Sequence, residues 1–543
     1  MKQVRLGTRR FLCWIALGLA AGCADQRGGG GSSGRTHEDL LALFREWREF
    51  QKPRVVDGVP DYRVRAMAAQ QRQLARYQGR LTAFDTSGWS IAQQVDLHIL
   101  RAEMNGLDFD HRVLRPWANN PAFYVTVFPS ESDQPAREGP HAWGSVELWS
   151  YASPLNEQNV AQVDSGIRAI PALLTQARTN LVGNGQDLWT YGARSLRRQS
   201  SGLAQLASGL IDSHTQLRAN IERARAATDS FAVWVEAQLP AKTAPSGVGV
   251  AHYDWYLQNV QLLPYTWQDE VALMERELAR AQANLALEER RNAGLPQPAL
   301  VSSTDEHTRR FNDAVTEYMA FLRAREILTV KDYMDPALRA RIGRYSSGAR
   351  EFFTEVDYRD PTVMRTHGYH WFDKGWLLAE APANPIRNGA LLYNIFNTRT
   401  EGLATAWEEM MMQAGMFDTR PRSRELIYIL VAQRAARALG DLRMHAHQAT
   451  LEQAATFTSA HTPRGWLSLE GNLVRSEQHL YLQQPAYGTS YLIGKIQIEQ
   501  LIGERMRQLG DRFSLKAFMD EFNAAGLIPM SLVAWEITGV NNR

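Results

Sequence analysis

Apolar residues recur at spacings of three and four along most of this chain, a period that predicts helices. Between Asp39 and Phe50, the residues Leu40, Leu41, Phe44 and Trp47 share one face. The same spacing runs through Tyr62 to Leu81 and Ile91 to Leu107. Asn156 to Leu181 reads as helical up to Pro171, where the missing amide N–H predicts a fresh helix start. Leu203 to Leu239 predicts one or two amphipathic helices, ended by Pro240. Trp267 to Arg291 carries Val271, Met274, Leu278, Ala281 and Leu285 in one stripe, its charged remainder reading as a solvated face. Ser303-Thr304-Asp305-Glu306 is a helix start, followed by Phe311, Val315, Tyr318 and Leu322 on one face.

Two stretches break the period. Arg115 to Pro129 mixes Pro and Asn with a β-branched and aromatic run, and predicts a short strand or an extended loop lining a cleft. Thr243 to Pro264 holds Ser246-Gly247-Val248-Gly249 ahead of an aromatic cluster; without a preceding strand or a phosphate-loop Lys it argues against a nucleotide site. No internal repeat is visible. The expected fold is all-α: a large multi-helix domain with a central cleft and minor β structure over residues 36–543, either one body or two lobes dividing near residue 245.

The first residues change the setting. Lys2, Arg5, Arg9 and Arg10 precede an apolar run from Phe11 to Ala21. That run is far short of the roughly 20 residues a membrane span needs, and fits a signal peptide over residues 1–22. Leu19-Ala20-Ala21-Gly22-Cys23 resembles a bacterial lipobox, with Ala20 where Leu is usual. It predicts lipid attachment at Cys23, followed by a Gly/Ser tether in 23–35. An ordinary secretory signal with a chance Cys is the alternative, and Thr8-Arg9-Arg10-Phe11-Leu12 partly resembles a twin-arginine signal. The expected location is the cell envelope, lipid-anchored and periplasmic or at the outer membrane. Cys13 and Cys23 are the two cysteines, so the mature chain relies on packing and not on a disulfide. Lys+Arg 60 against Asp+Glu 58 leaves no basic excess, which argues against a nucleic-acid partner. Fifteen Trp are read as helix-packing contacts ahead of sugar-stacking platforms.

The candidate chemistry lies between Arg365 and Met412. Glu401-Gly402-Leu403-Ala404-Thr405-Ala406-Trp407-Glu408-Glu409 resembles the EGWAxYxE motif of the bacterial family catalogued as domain of unknown function 885, itself similar to helical zinc metallopeptidases. Met444-His445-Ala446 with Thr450 to Ala454 is similar to that family's HAxGWTxEEA stretch, and Pro485 with Ser490 to Lys495 to its PGQAxSYxIGK stretch. Phe513 to Asp520 with Ile528-Pro529 is similar to FxLxxFHD and its loop. The family's zinc motif, HExxPGHH, has only a degenerate counterpart in His367 to Lys374. Gly368 stands where the water-activating glutamate belongs, and Asp373 and Lys374 where paired histidines belong. Leu480 replaces an Arg and Met519 a His of the later motifs.

A reduced site follows from helical spacing and family position. His367 and His370, three apart, share a helix face, with Asp373 near it. With Glu401 they form a set of two histidines and one carboxylate able to bind zinc. Glu408, or Glu409, is then the base, with His445 and Tyr491 as oxyanion donors. A metal-free hydrolase using His367 or His445 with a carboxylate is a further option; no nucleophile elbow is present. Each residue also has a structural reading, as a satisfied core histidine, a buried ion pair or, for Met410 to Met412, plain core. The leading expectation is an envelope lipoprotein that keeps a peptidase-like fold as a binding cleft. There Trp371, Trp376, Tyr393 and Trp407 would hold a peptide or glycan. The alternative is a metal-dependent peptidase with the rebuilt site.

Overall fold

A computed structural model describes residues 35–151, 155–210 and 214–541. The signal segment, Cys23 and the tether up to Gly34 lie outside the described residues. The fold is all-α, with helices from His37–Phe50 to Met530–Thr538. Among the described residues β structure amounts to two pairs of very short strands and an isolated bridge between Gly185 and Ala244.

Local signals place most helices. Thr36 and Thr266 form capping boxes at the starts of His37–Phe50 and Trp267–Arg291, and Ser303 caps Thr304–Ala324. Pro171 does not start a new helix; it sits inside a continuous Glu157–Asn180. Ile167, Ile170, Leu173 and Leu174 are all buried around it, so packing on both sides offsets the lost hydrogen bond. Gln186–Ser208 and Thr215–Gln238 are separate helices. After Arg115 come a short helix, Pro116–Asn119, a 3-10 turn, Pro121–Tyr124, and the strand Val127–Phe128. That strand pairs in parallel with Val146–Glu147 and thereby bounds an irregular loop over residues 129–145. In the Gly-rich turn, Gly247 meets the backbone of Met444, whose carbonyl oxygen would be 2.2 Å from an added Cβ.

Two large apolar cores and two small clusters result among the described residues. The larger is built from residues between Leu40 and Trp535, the smaller from residues between Tyr62 and Val235. At the centre of the larger, Asn397–Gln413 and Pro421–His445 are buried along nearly their whole lengths. Tyr487–Leu509 crosses the first of these at two glycines. A Cβ on Gly402 would lie 2.4 Å from Gly494 Cα, and one on Gly494 2.0 Å from the Thr398 carbonyl oxygen. No side chain fits between these backbones. The close approach brings Glu401 of one helix to Tyr487 of the other, at 2.5 Å.

Gly494→Ala is expected to destabilise the protein by about 3 kcal/mol, the upper end of the usual cost of overpacking, read as a lower urea midpoint. Gly503→Ala in the same helix, where the nearest heavy atom is 3.7 Å away, is expected to raise the midpoint slightly through helix propensity.

Candidate metal centre

Asp360 caps Pro361–His367, with Pro361 at its first position. The helix ends at Gly368, and Tyr369–Ala379 starts immediately afterwards. His367 and His370 therefore lie on two short helices and not on one. Their rings still meet edge to face, 5.1 Å between centroids. Gly368 is crowded: an added Cβ would stand 2.7 Å from buried Leu338 and 3.0 Å from the Arg365 carbonyl oxygen. A glutamate there would require the neighbours to move.

The third member comes from the irregular loop. Asp133, His367 and His370 can each offer a ligand atom within 4.8 Å of the others. Lys374 holds the loop in place, donating to the Ser132 carbonyl at 2.7 Å and pairing with Glu131 at 2.5 Å. Arg341 also pairs with Glu131.

A buried glutamate backs each histidine. His367 Nδ1 is 2.9 Å from Glu408 Oε1. Arg434 donates to both oxygens of Glu408, at 2.7 Å each. Against the effect of burial, Arg434 and His367 hold the Glu408 carboxyl below its ordinary range. Burial keeps His367 below its ordinary value, and so neutral. His367 Nδ1 also lies 3.2 Å from Arg434 Nη2; the tautomer with Nδ1–H towards Glu408 leaves Nε2 as the basic nitrogen, the arrangement that orients metal-binding histidines.

His370 Nε2 faces Glu401 Oε2 at 3.3 Å, and both atoms are buried without a well-formed hydrogen bond. Glu401 Oε1 accepts from Gln134 Nε2 at 2.9 Å and from the Tyr487 hydroxyl. Thr400 in turn bonds the Gln134 carbonyl oxygen at 2.6 Å. Burial opposes charge on both partners, but Asp133 and Glu401 raise His370 to about 9. His370, followed by His367 and Tyr487, draws Glu401 down to about 2.

Asp133 and His367 border a pocket of about 290 Å3, lined also by Glu138, Arg434, Tyr487 and Tyr491, whereas His370 and Glu401 lie behind its wall. Burial and the charge of Asp133 raise the Glu138 carboxyl to about 7. Tyr491 is mostly buried, with the Arg437 guanidinium 4.1 Å from its ring centre.

Several expected roles change with these positions. Glu401 is not one of the three converging residues and faces His370 Nε2 at 3.3 Å. Glu408, clamped by Arg434 and His367, is not free to act as a base. Glu409 is bound by Arg280 and Lys495. His445 accepts from the Val248 N–H and lies 3.0 Å from the Tyr481 carbonyl oxygen, so neither nitrogen is left for an oxyanion. Asp373 pairs with Arg399 at 3.0 Å. The four aromatics do not share a cleft. Trp407 is core and donates to Tyr318, and Trp371 lies under Arg341 and Lys374. Trp376 borders a separate pocket with Asp373 and Arg399, and Tyr393 a third cavity. Asp133, Gln134, Glu138, Arg434 and Tyr487 were not anticipated. The available signal was a run of acidic residues, Glu131, Asp133 and Glu138, in a Pro- and Gly-containing loop, since functional groups concentrate in loops held by a rigid scaffold.

The donor set, two histidines and a carboxylate, fits zinc or a similar divalent ion. The bacterial family described as a protein of unknown function, DUF885, matches residues 51–375 and 383–537. The chain belongs to this family. A candidate lipoprotein of unknown function from Shewanella oneidensis has a similar structure, with TM-score 0.67 and 16% identity over 93% of this chain and 100% of that one. A candidate lipoprotein from Colwellia psychrerythraea gives TM-score 0.67 and 14% identity over 93% of this chain and 98% of that one. No curated protein matches the sequence.

The His370–Glu401 pair predicts a pH dependence in the metal-free chain. The raised imidazole contributes stability fully below its unfolded value of about 6.5, and loses it as pH rises through about 9. The lowered carboxyl contributes above about 4.5 and loses it as pH falls towards about 2. In EDTA, the advantage of the native chain over His370→Gln in urea denaturation should therefore shrink steadily between pH 6.5 and 9. A constant difference would show that His370 is neutral in the folded chain.

Proposed function

We propose that this DUF885 member is a lipid-anchored envelope protein with a metal-dependent hydrolase site of the peptidase kind, rebuilt from Asp133, His367 and His370. The observation that carries the reading is the convergence of these three side chains from separate elements. When bound, a divalent ion would polarise a substrate carbonyl and acidify a water. In this reading the His367 Nδ1–H points to Glu408 and leaves Nε2 for the ion, while His370 Nε2 faces Glu401. Glu138, on the pocket wall and poised near neutrality, takes the part of the base missing at Gly368. The Tyr491 hydroxyl, on the same wall, is the donor available to an oxyanion. The separated aromatics disfavour the alternative of a continuous peptide or glycan groove.

The chain from Ala24 onward, purified without chelator and supplied with zinc, is expected to retain about one ion per chain, measured by elemental analysis. Asp133→Asn and His367→Ala should abolish retention, and Glu401→Gln should weaken affinity by about 10- to 100-fold. Glu138→Gln should keep the metal and lower turnover of a peptide library by about 100-fold or more. No retained metal in the native chain would sink the proposal.

The anchor at Cys23 is supported by the lipobox-like sequence and by the description of the two structural relatives as candidate lipoproteins. Cys23→Ser should move the protein from the membrane to the soluble fraction and abolish labelling by a fatty-acid analogue. Unchanged fractionation and labelling would remove the anchor.

A further inference from the structure

Behind the loop that carries Asp133 and Glu138 lies a larger cavity, about 630 Å3 in volume. Arg137 and Gly139 face this cavity, whereas Asp133 and Glu138 line the pocket beside the histidines. The volume suits a small organic ligand. Much of the wall is aromatic, including Trp117, Phe123, Tyr256 and Tyr393.

Most polar groups on the wall already have partners. Arg137 donates to both oxygens of Glu147, at 2.8 and 2.6 Å. The Tyr62 hydroxyl accepts from the Trp143 N–H at 2.8 Å, and Asn394 donates to Gln484 at 2.9 Å. Burial holds His141 below its ordinary value. The Asp110 carboxyl is the exception. It is half-buried, and burial, unopposed by any hydrogen bond or cation among the described residues, pushes it up to about 7. Its charge reaches the Tyr256 and Tyr393 phenols, adding to the larger effect of burial in raising both.

The backbone around the cavity is also unusual. Asp110 opens a π-helical turn, Asp110–Leu114, that ends in Arg115 with φ +42°. On the same wall Tyr393 and Asn394 have φ of +57° and +49°. The Tyr393 ring lies where a Cβ on Gly106 would come within 2.4 Å. Such π turns and left-handed non-glycine residues concentrate at ligand sites.

We propose that this cavity binds a small organic cation, a primary ammonium on an aromatic or apolar body, with Asp110 as its counter-ion and the rings of Tyr256 and Tyr393 beside the charge. A carboxylate without a partner in an apolar wall is unfavourable, and an ammonium supplies both the opposite charge and hydrogen-bond donors. Aromatic faces favour a cation, and the apolar body replaces water along the remaining wall. The site does not depend on the metal centre.

The test is calorimetric titration of the chain from Ala24 onward, in EDTA, with 4-phenylbutylamine and with 4-phenylbutan-1-ol. The amine is expected to bind at least about tenfold more tightly than the alcohol, a difference of about 1.4 kcal/mol. Asp110→Asn should remove that preference. Met67→Trp, which fills the cavity and leaves Asp110 in place, should abolish binding of both; circular dichroism and the melting temperature check that each variant is folded. Binding of neither compound, equal binding of both, or unchanged amine binding in Asp110→Asn would overturn the proposal. The titration repeated on His367→Ala should give the same result, so failure here and failure of the metal centre are separate outcomes.

Discussion

The structure depends on neutralising the charges that one buried helix takes into the interior. Asn397–Gln413 carries Arg399, Glu401, Glu408 and Glu409, all buried. Left unpaired, any of them would be strongly destabilising. Arg399 meets Asp373, Glu408 meets Arg434 and His367, and Glu409 meets Arg280 and Lys495. Glu401 is held by Gln134, Tyr487 and His370. These partners come from the helices Trp267–Arg291, Tyr369–Ala379, Pro421–His445 and Tyr487–Leu509, from His367 and from the 129–145 loop. The charges thus fix how the surrounding elements are arranged. The glycine-to-glycine crossing at Gly402 and Gly494 fixes how closely one of them approaches.

The same requirement shapes the candidate site. Two of the four charges are met by histidines, and Gln134 and Arg434 in turn approach the Nδ1 atoms of His370 and His367, at 3.3 and 3.2 Å. Gly368, Asp373 and Lys374 have definite structural tasks in this protein. Gly368 separates two short helices where no side chain fits easily. Asp373 neutralises Arg399, and Lys374 ties down the loop that brings Asp133 to the histidines.

That loop also separates two environments. On one side, charged and hydrogen-bonding groups surround the histidines; on the other, aromatic rings surround Asp110. Its own polar contacts, Lys374 to Ser132, Arg137 to Glu147 and Gly139 to Gln484, connect it to both sides of the protein. A short irregular segment can form such a partition because its backbone groups find partners outside the regular helices.

By itself the sequence determined the helical character of the chain, most helix positions and the segment holding His367, His370 and Glu401. The apolar period, the caps at Thr36, Thr266 and Ser303, and the stripe in Trp267–Arg291 are local signals that act over a few residues. Helical spacing also placed the two histidines close together, although the break at Gly368 puts them on separate helices. Pro171 showed the limit of local reasoning, because burial on both sides carried the helix through it. Only the tertiary structure decided which partner each buried charge takes. Asp133, Arg434 and Tyr487 reach the site from distant segments, Glu408 is clamped there by Arg434, and His445 and Trp407 bond to other groups. Spacing along a helix constrains neighbours on that helix, but a buried charge is satisfied by whatever packing brings within hydrogen-bonding distance.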